Sequence, residues 1–161
     1  MKKTALVFVV GLLLGQLDLM GLVVWEIIEA RLPDLKADSL TRSSPFEEMP
    51  RSRWIAESER AFAIEDRYAP TAPVHLLVIP KERVTSLLEA PASLLGEMLE
   101  LARDTARERG IADSGLRVII NTNPQGSQTV YHLHMHVKGG RQLREPLLPL
   151  IWSRLVHWRA A

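Results

Sequence analysis

Thr129-Val130-Tyr131-His132-Leu133-His134-Met135-His136-Val137-Lys138-Gly139-Gly140-Arg141 carries three histidines in strict alternation. Successive side chains of a β-strand point to opposite faces, so the three imidazoles share one face and Leu133 and Met135 the other. Such a strand packs a core on one side and presents chemistry on the other. Free imidazole titrates close to neutrality, so three together can hold neutral and cationic members at once. Phosphoryl and nucleotidyl chemistry needs both: a neutral nitrogen to attack and cationic neighbours to hold oxygens. A metal site is the rival reading, and spacing weighs against it. At about 3.3 Å per residue His132 and His136 stand roughly 13 Å apart on a straight strand, whereas zinc binds nitrogen at about 2 Å. The chain has no cysteine to complete such a site, and His75 and His157 lie far off in sequence. No metal and no cofactor are expected.

The flanks extend the same reading. Asn121-Thr122-Asn123-Pro124-Gln125-Gly126-Ser127-Gln128-Thr129 is rich in amides, hydroxyls and turn residues, so it reads as a loop between two strands. Amides and hydroxyls beside an imidazole can orient a phosphate and stabilise a departing group. Gly139-Gly140 permits positive φ and a sharp exit from the strand. Further strands are expected at Trp54–Glu57, Arg60–Ile64 and Val74–Ile79, the last almost wholly apolar and so buried on both faces. Pro91–Arg109 reads as a helix with Leu94, Leu95, Met98, Leu101, Ala102 and Ala106 at helical spacing, stopped by Gly110. Leu116–Asn121 and Thr129–Lys138 complete an antiparallel hairpin.

Together these residues resemble the histidine-triad (HIT) superfamily, most closely its Hint branch of nucleoside phosphoramidases. The resemblance rests on Asn121-Thr122-Asn123, Gln128, the triad with Val130-Tyr131, and Gly139-Gly140-Arg141. Ala72-Pro73-Val74-His75-Leu76-Leu77-Val78-Ile79-Pro80-Lys81 looks like the family's central strand, and Ser93-Leu94-Leu95-Gly96-Glu97-Met98 like the start of its main helix. It implies an α+β fold, a HIT-like antiparallel sheet of about five strands with one main helix. It also implies hydrolysis at the α-phosphate of a nucleoside phosphoramidate or related nucleotide, a purine one, through a covalent nucleotidyl-histidine. His134 would be the nucleophile, oriented by the backbone carbonyl of His132. His136 would touch phosphate oxygens with His75 and His132 nearby, and Thr129 would assist the leaving group. Gln128 and Asn121 would hold the phosphate and Asp66 the ribose hydroxyls. A homodimer is implied as well. The chain departs from the family pattern in three places. Ser127 stands where a second glycine is usual, the segment Asp66–Pro70 is one residue longer, and the apolar base pocket is abbreviated, with Phe46 as one candidate member.

A net charge of +1 over 161 residues gives no global field for nucleic acid, and none is expected as a partner. After Lys2-Lys3, an apolar stretch runs from Thr4 to Ile28, interrupted only by Gln16, Asp18 and Glu26. As a helix it would be about 37 Å long, against about 30 Å of bilayer hydrocarbon. A single-pass membrane location through an N-terminal transmembrane helix is therefore expected, with a cleaved signal peptide as the alternative. Lys and Arg on both flanks leave the side of the catalytic domain open. The expected organisation is an anchor over 1–30, a Pro-rich linker over 31–50, the HIT domain over 51–145 and an amphipathic tail over 146–161. Two alternative functions stay open. One is a pyrophosphatase acting on a lipid-linked nucleotide, to which an anchor would bring the enzyme. The other is a non-catalytic nucleotide-binding or scaffolding module.

Overall fold

The apolar run Val74–Pro80 becomes the third of five strands and sits at the centre of the sheet. The computed structural model describes residue 34 and residues 36–68 and 70–143. Its strands are β1 (Trp54–Glu57), β2 (Ala61–Glu65), β3 (Val74–Pro80), β4 (Leu116–Ile120) and β5 (Met135–Gly139), and its main helix spans Ala92–Glu108. The strand order is β1-β2-β3-β5-β4, with every neighbouring pair antiparallel.

Alternation assigns the two faces of this sheet. Ala61 and Ala63 of β2, Leu76 and Val78 of β3, and Met135 and Val137 of β5 meet Leu94, Met98, Leu101, Ala102 and Ala106 of the helix in one buried cluster. The small Ala61 and Ala63 let the helix lie close. Each large apolar side chain buried there contributes about 1.5–3 kcal/mol. The intervening residues Phe62, Ile64, Leu77 and Ile79 point to the opposite face, where Phe46 joins them in a second cluster. The helix ends as its glycine predicts. Gly110 adopts φ +67°, its N–H bonds Arg107 O at 3.0 Å, and Ile111 N–H bonds Ala106 O at 3.1 Å. This is a Schellman stop, and Ile111 seals it by entering the core.

Three expectations change. The last strand starts at Met135, not Thr129, because the chain before it pairs elsewhere: Leu133 N–H donates to Val84 O at 2.6 Å and Arg83 Nε donates to Tyr131 O at 3.0 Å. The segment read as a linker is not a bare tether. Its residues 36–41 are helical, and Ser44 and Phe46 are buried against the sheet. Arg83 holds it by donating to the carbonyls of Ser39 and Arg42 at 2.8 and 2.7 Å. Finally, no helix among the described residues is long and apolar enough to cross a membrane. The stretch 4–28 that suggested a span lies outside the described residues, as does the tail 146–161.

Candidate active site

The three triad imidazoles lie on the sheet face opposite the helix, since Leu133, Met135 and Val137 occupy the helix-side core. Their roles differ because their hydrogen bonds differ. His132 is fully buried. Its Nε2 lies 2.9 Å from Pro80 O, and a carbonyl only accepts, so Nε2 carries the proton. Nδ1 is then the acceptor for the Ser44 hydroxyl at 3.0 Å. Both nitrogens are spent, and this ring is structural.

His134 lies 8% exposed. Its Nδ1 donates to the carbonyl oxygen of His132 at 2.8 Å, which fixes the tautomer and leaves a lone pair on Nε2. Burial pushes its pKa below the usual histidine value, against the opposing pull of the His132 carbonyl and Asp66. Phe46 packs edge-on against it, with ring centroids 5.3 Å apart. His136, the only triad member inside β5, is pushed down to about 4, by burial first and then by its electrostatic interactions with His134, Lys138 and His75, against the opposing pull of Asp66. Burial likewise lowers His132. The triad is therefore neutral at pH 7. The mixed neutral and cationic set expected from the sequence does not form, because all three rings are withdrawn from water. Fixed positive charge comes instead from Lys138, two residues beyond His136 on the same face.

A second chain of groups reaches His136 from behind. His75 of β3 places Nε2 2.9 Å from His136 Nδ1, while its Nδ1 lies 3.2 Å from Asp66 Oδ2. The Thr71 N–H also points at that Nδ1, at 3.3 Å, but one nitrogen cannot both accept there and donate to the carboxylate. The side chains of His75 and Asp66 are only 2% and 7% exposed, and a buried carboxylate facing a lone pair would be costly, so the contact with Asp66 takes the proton. The other Asp66 oxygen, Oδ1, accepts from Tyr68 N–H at 3.0 Å. Asp66 thus backs His75, and both its oxygens already have partners; the structure does not turn it toward open space as a free ribose ligand.

The loop before the triad is braced by the residue expected to bind phosphate. The Gln128 amide donates to Thr85 O and Val130 O at 2.7 and 3.1 Å and accepts from Asn123 N–H at 2.8 Å. Those bonds use the side chain structurally, so Gln128 positions the loop. Ser127, in the place of the usual glycine, takes the left-handed conformation at φ 61°. Thr129 is exposed beside the triad, and Asn121 makes a long 3.5 Å contact from Nδ2 to Ser127 O. Sequence reasoning missed Ser44, the Pro80 carbonyl and Thr71. Nothing in their own spacing marks them, since each meets the site only through tertiary contact.

Among the described residues, donor atoms of Asp66, His75 and His136 lie within 4.8 Å of one another. A divalent cation could use such a carboxylate and two imidazoles after the His75–His136 bond opens. The three triad histidines cannot act as one set of ligands, because His132 has no nitrogen left.

Comparison with known proteins finds relatives and a shared fold over this domain. The HIT domain family model matches residues 48–143. A HIT-like protein of Synechococcus elongatus is 47% identical over 95 residues, covering 57% of this chain and 82% of the relative. An adenylylsulfatase of Arabidopsis thaliana is 41% identical over 97 residues, covering 57% of this chain and 65% of the relative. A 14 kDa zinc-binding protein of Brassica juncea is also 41% identical over 97 residues, covering 57% and 84%. The crystal structure of a family hydrolase from Legionella pneumophila superposes with a TM-score of 0.57 at 35% identity, covering 62% of this chain and 89% of the other. These matches leave the N-terminal stretch without support as a span, and no described helix can cross a bilayer. The membrane localisation and the membrane partner expected from the sequence are withdrawn.

Proposed function

The chain belongs to the HIT domain family, and on that premise we propose that it is a nucleotide hydrolase cutting at the α-phosphate of a nucleoside phosphoramidate or a related nucleotide. The single observation that carries this reading is the 2.8 Å bond from His134 Nδ1 to the His132 carbonyl, which leaves Nε2 as a fixed lone pair beside neutral, buried neighbours. Nε2 attacks the α-phosphorus, the bond from phosphorus to the leaving group breaks, and that pair of electrons leaves with the amine, which gains a proton. The ring now carries positive charge, and the carbonyl on Nδ1–H stabilises it. Water then attacks phosphorus, the P–N bond to His134 breaks, and the nucleoside monophosphate departs. Splitting one displacement into two lowers each barrier.

With His75 Nδ1–H committed to Asp66, His75 Nε2 accepts from His136 Nδ1–H, so His136 Nε2 donates to a phosphate oxygen once it has taken up a proton. Asp66 acts through His75 by holding that ring. Thr129 supplies a hydroxyl to the leaving group, and Asn121 and Gln128 keep the loop in place. The homodimer implied by the resemblance is part of this proposal. One relative is named an adenylylsulfatase, which makes a sulfated nucleotide a second candidate substrate. The lipid-linked substrate loses its motive together with the anchor.

The test is turnover of adenosine 5′-phosphoramidate by the full-length protein. Wild type should release AMP, and a nucleotidyl adduct trapped by acid quench should map to His134. His134→Ala should lose the adduct and nearly all turnover while remaining folded. Retention of more than about a tenth of wild-type kcat, a barrier change under roughly 1.4 kcal/mol, would refute the assignment. Wild type that binds nucleotide without turnover would establish the non-catalytic module instead. Activity abolished by EDTA and restored by zinc would place a metal at Asp66, His75 and His136 and overturn the metal-free scheme.

A further inference from the structure

The loop that leads into the triad has a backbone that needs outside support. Asn123 and Ser127 both take positive φ, each at 61°, on either side of the turn Pro124–Gly126. Residues with a Cβ disfavour that region, so such a loop persists only where its surroundings hold it. Part of the hold is internal. Asn123 O accepts from Gly126 N–H and Gln128 N–H, both at 3.1 Å, and Ser127 N–H donates to Pro124 O at 2.8 Å. The rest comes from far earlier in the chain. Lys36 Nζ donates to Asn123 Oδ1 at 2.8 Å, across 87 residues of sequence, and lies 5.4 Å from the centre of the Tyr131 ring. Tyr131 N–H points at the Ser39 hydroxyl at 3.4 Å. Arg83 fastens the two segments together. Its Nε donates to Tyr131 O at 3.0 Å, its terminal nitrogens donate to Ser39 O and Arg42 O at 2.8 and 2.7 Å, and the Glu47 carboxylate lies 3.8 Å from Nη1. A guanidinium presents its donors in one rigid plane, so it fixes these three carbonyls relative to one another. Further along, Ser44 bonds His132, and Phe46 packs edge-on against His132 and His134. Residues 36–46 thus touch both the turn at Asn123 and the histidines, and they precede the residues 48–143 that match the family model.

We propose that residues 36–46, fastened by Arg83, are a strap that positions the 121–131 loop for the reaction, with Lys36 as the positioning residue. The inference rests on the reading that His134 attacks the α-phosphate while Thr129 assists the leaving group. Asn123 is the point at which the strap grips the loop. Its N–H donates to Gln128 Oε1 at 2.8 Å, its carbonyl closes the turn, and its side-chain oxygen accepts from Lys36. Thr129 follows Gln128 directly in the chain, so the grip on Asn123 sets where the Thr129 hydroxyl stands. That hydroxyl acts on the group that departs, and its help is realised as the bond breaks rather than in the bound substrate. Misplacing such a group by about 1 Å can cost on the order of a hundredfold in rate. A charged donor holds an amide oxygen about twice as strongly as a neutral one. Methionine in place of Lys36 keeps the length and the apolar stem over Tyr131 but offers no donor, whereas arginine keeps the donor.

The experiment takes full-length wild type, Lys36→Met and Lys36→Arg. It reads kcat and KM on adenosine 5′-phosphoramidate, and amide hydrogen exchange by mass spectrometry in the peptide 121–131 and in the helix 92–108. In Lys36→Met kcat should fall by about fivefold or more, with KM within about twofold of wild type, the mark of an interaction made in the transition state. Exchange in the loop should quicken by about fivefold or more while the helix stays unchanged, the mark of a local opening. Lys36→Arg should return both readouts toward wild type. A smaller fall in kcat, a KM that moves more than about twofold, a loss that Lys36→Arg fails to restore, or exchange that quickens in the helix along with the loop overturns the strap. Should wild type release no AMP, the hydrolase reading fails on its own, and the strap is judged by exchange alone. Loop exchange at least about fivefold faster in Lys36→Met, with the helix unchanged, then upholds it, and any other result overturns it.

Discussion

Replacing Ser44 by alanine tests whether the segment before the first strand is part of the site. The Ser44 side chain is buried and its hydroxyl has two partners: it donates to His132 Nδ1 at 3.0 Å and accepts from Phe46 N–H at 3.2 Å. Alanine removes both bonds and supplies nothing in return. His132 cannot turn its other tautomer inward, because Nε2–H must keep serving Pro80 O. Each buried polar group left without a partner costs about 1–3 kcal/mol. Two such groups bound the loss at about 2–6 kcal/mol, and relaxation of the exposed neighbouring turn places the expected value near the lower end, about 2 kcal/mol. At roughly 4 °C per kcal/mol for a domain of this size, Tm falls by about 8 °C. Catalysis should suffer less. The His132 carbonyl still holds His134, so kcat should drop less than tenfold. KM should rise as Phe46 loosens from its edge-on seat against His134. Urea denaturation followed by circular dichroism gives the stability, and AMP release gives the kinetics. A stability loss under about 0.5 kcal/mol would mean that residues 44–46 do not dock on the triad, and the account of His132 as a braced structural ring would be wrong.

Acidification should act on both activity and stability. Under the proposed mechanism His134 must be neutral to attack, and burial lowers its pKa, so the acid limb of kcat/KM should lie below the ordinary histidine value of about 6.5; a midpoint at or above it would refute the burial argument. Below about pH 6.5 the unfolded chain takes up protons that buried His132 and His134 and half-buried His136 refuse, so the unfolded state binds more protons and stability falls as pH drops toward the His136 value of about 4. Denaturation midpoints that stay flat from pH 7 to 4.5 would contradict this. Gly139→Ala should destabilise by about 1–3 kcal/mol, because a Cβ there would stand 2.8 Å from Ile111 Cδ1 and 3.0 Å from Ile111 Cβ; a thermal melt matching wild type would show that Ile111 yields without cost.

Much of the fold was legible because it depends on short-range periodicity. Val74–Ile79 read as a buried central strand and is one, with Pro80 added. The helix expected over Pro91–Arg109 spans Ala92–Glu108, since its apolar spacing and the Gly110 stop are local signals. The strand end at Thr129 was not legible. Residues 129–134 alternate as a strand does, yet their hydrogen bonds go to the 83–85 loop rather than to β4. That partner lies about fifty residues away and leaves no mark in the local pattern. The docking of Ser44 and Phe46, inside the stretch read as a linker, is hidden for the same reason. The prolines and charges of that stretch describe how the chain bends, and the burial of Ser44 and Phe46 depends on a sheet formed later in the chain.

The triad shows why a pattern can be right about direction and incomplete about charge. Alternation fixed which side the rings face, and Leu133, Met135 and Val137 do fill the helix-side core. It could not tell how far each ring is withdrawn from water, and that depth decides protonation. His132 is sealed between Ser44 and Pro80; His134 is fixed by a carbonyl from its own chain; His136 is held by His75, which Asp66 backs in turn. Each neutral ring is thus assigned by a different partner, two of them on β3. Removing positive charge from the triad makes an external source of cations more important to any reaction at phosphate. Lys138 is the nearest fixed one along the strand. In sequence it reads as the residue that ends a strand; in the sheet, the register with His75 and Arg117 sets it on the same face as His136, one strand repeat further on.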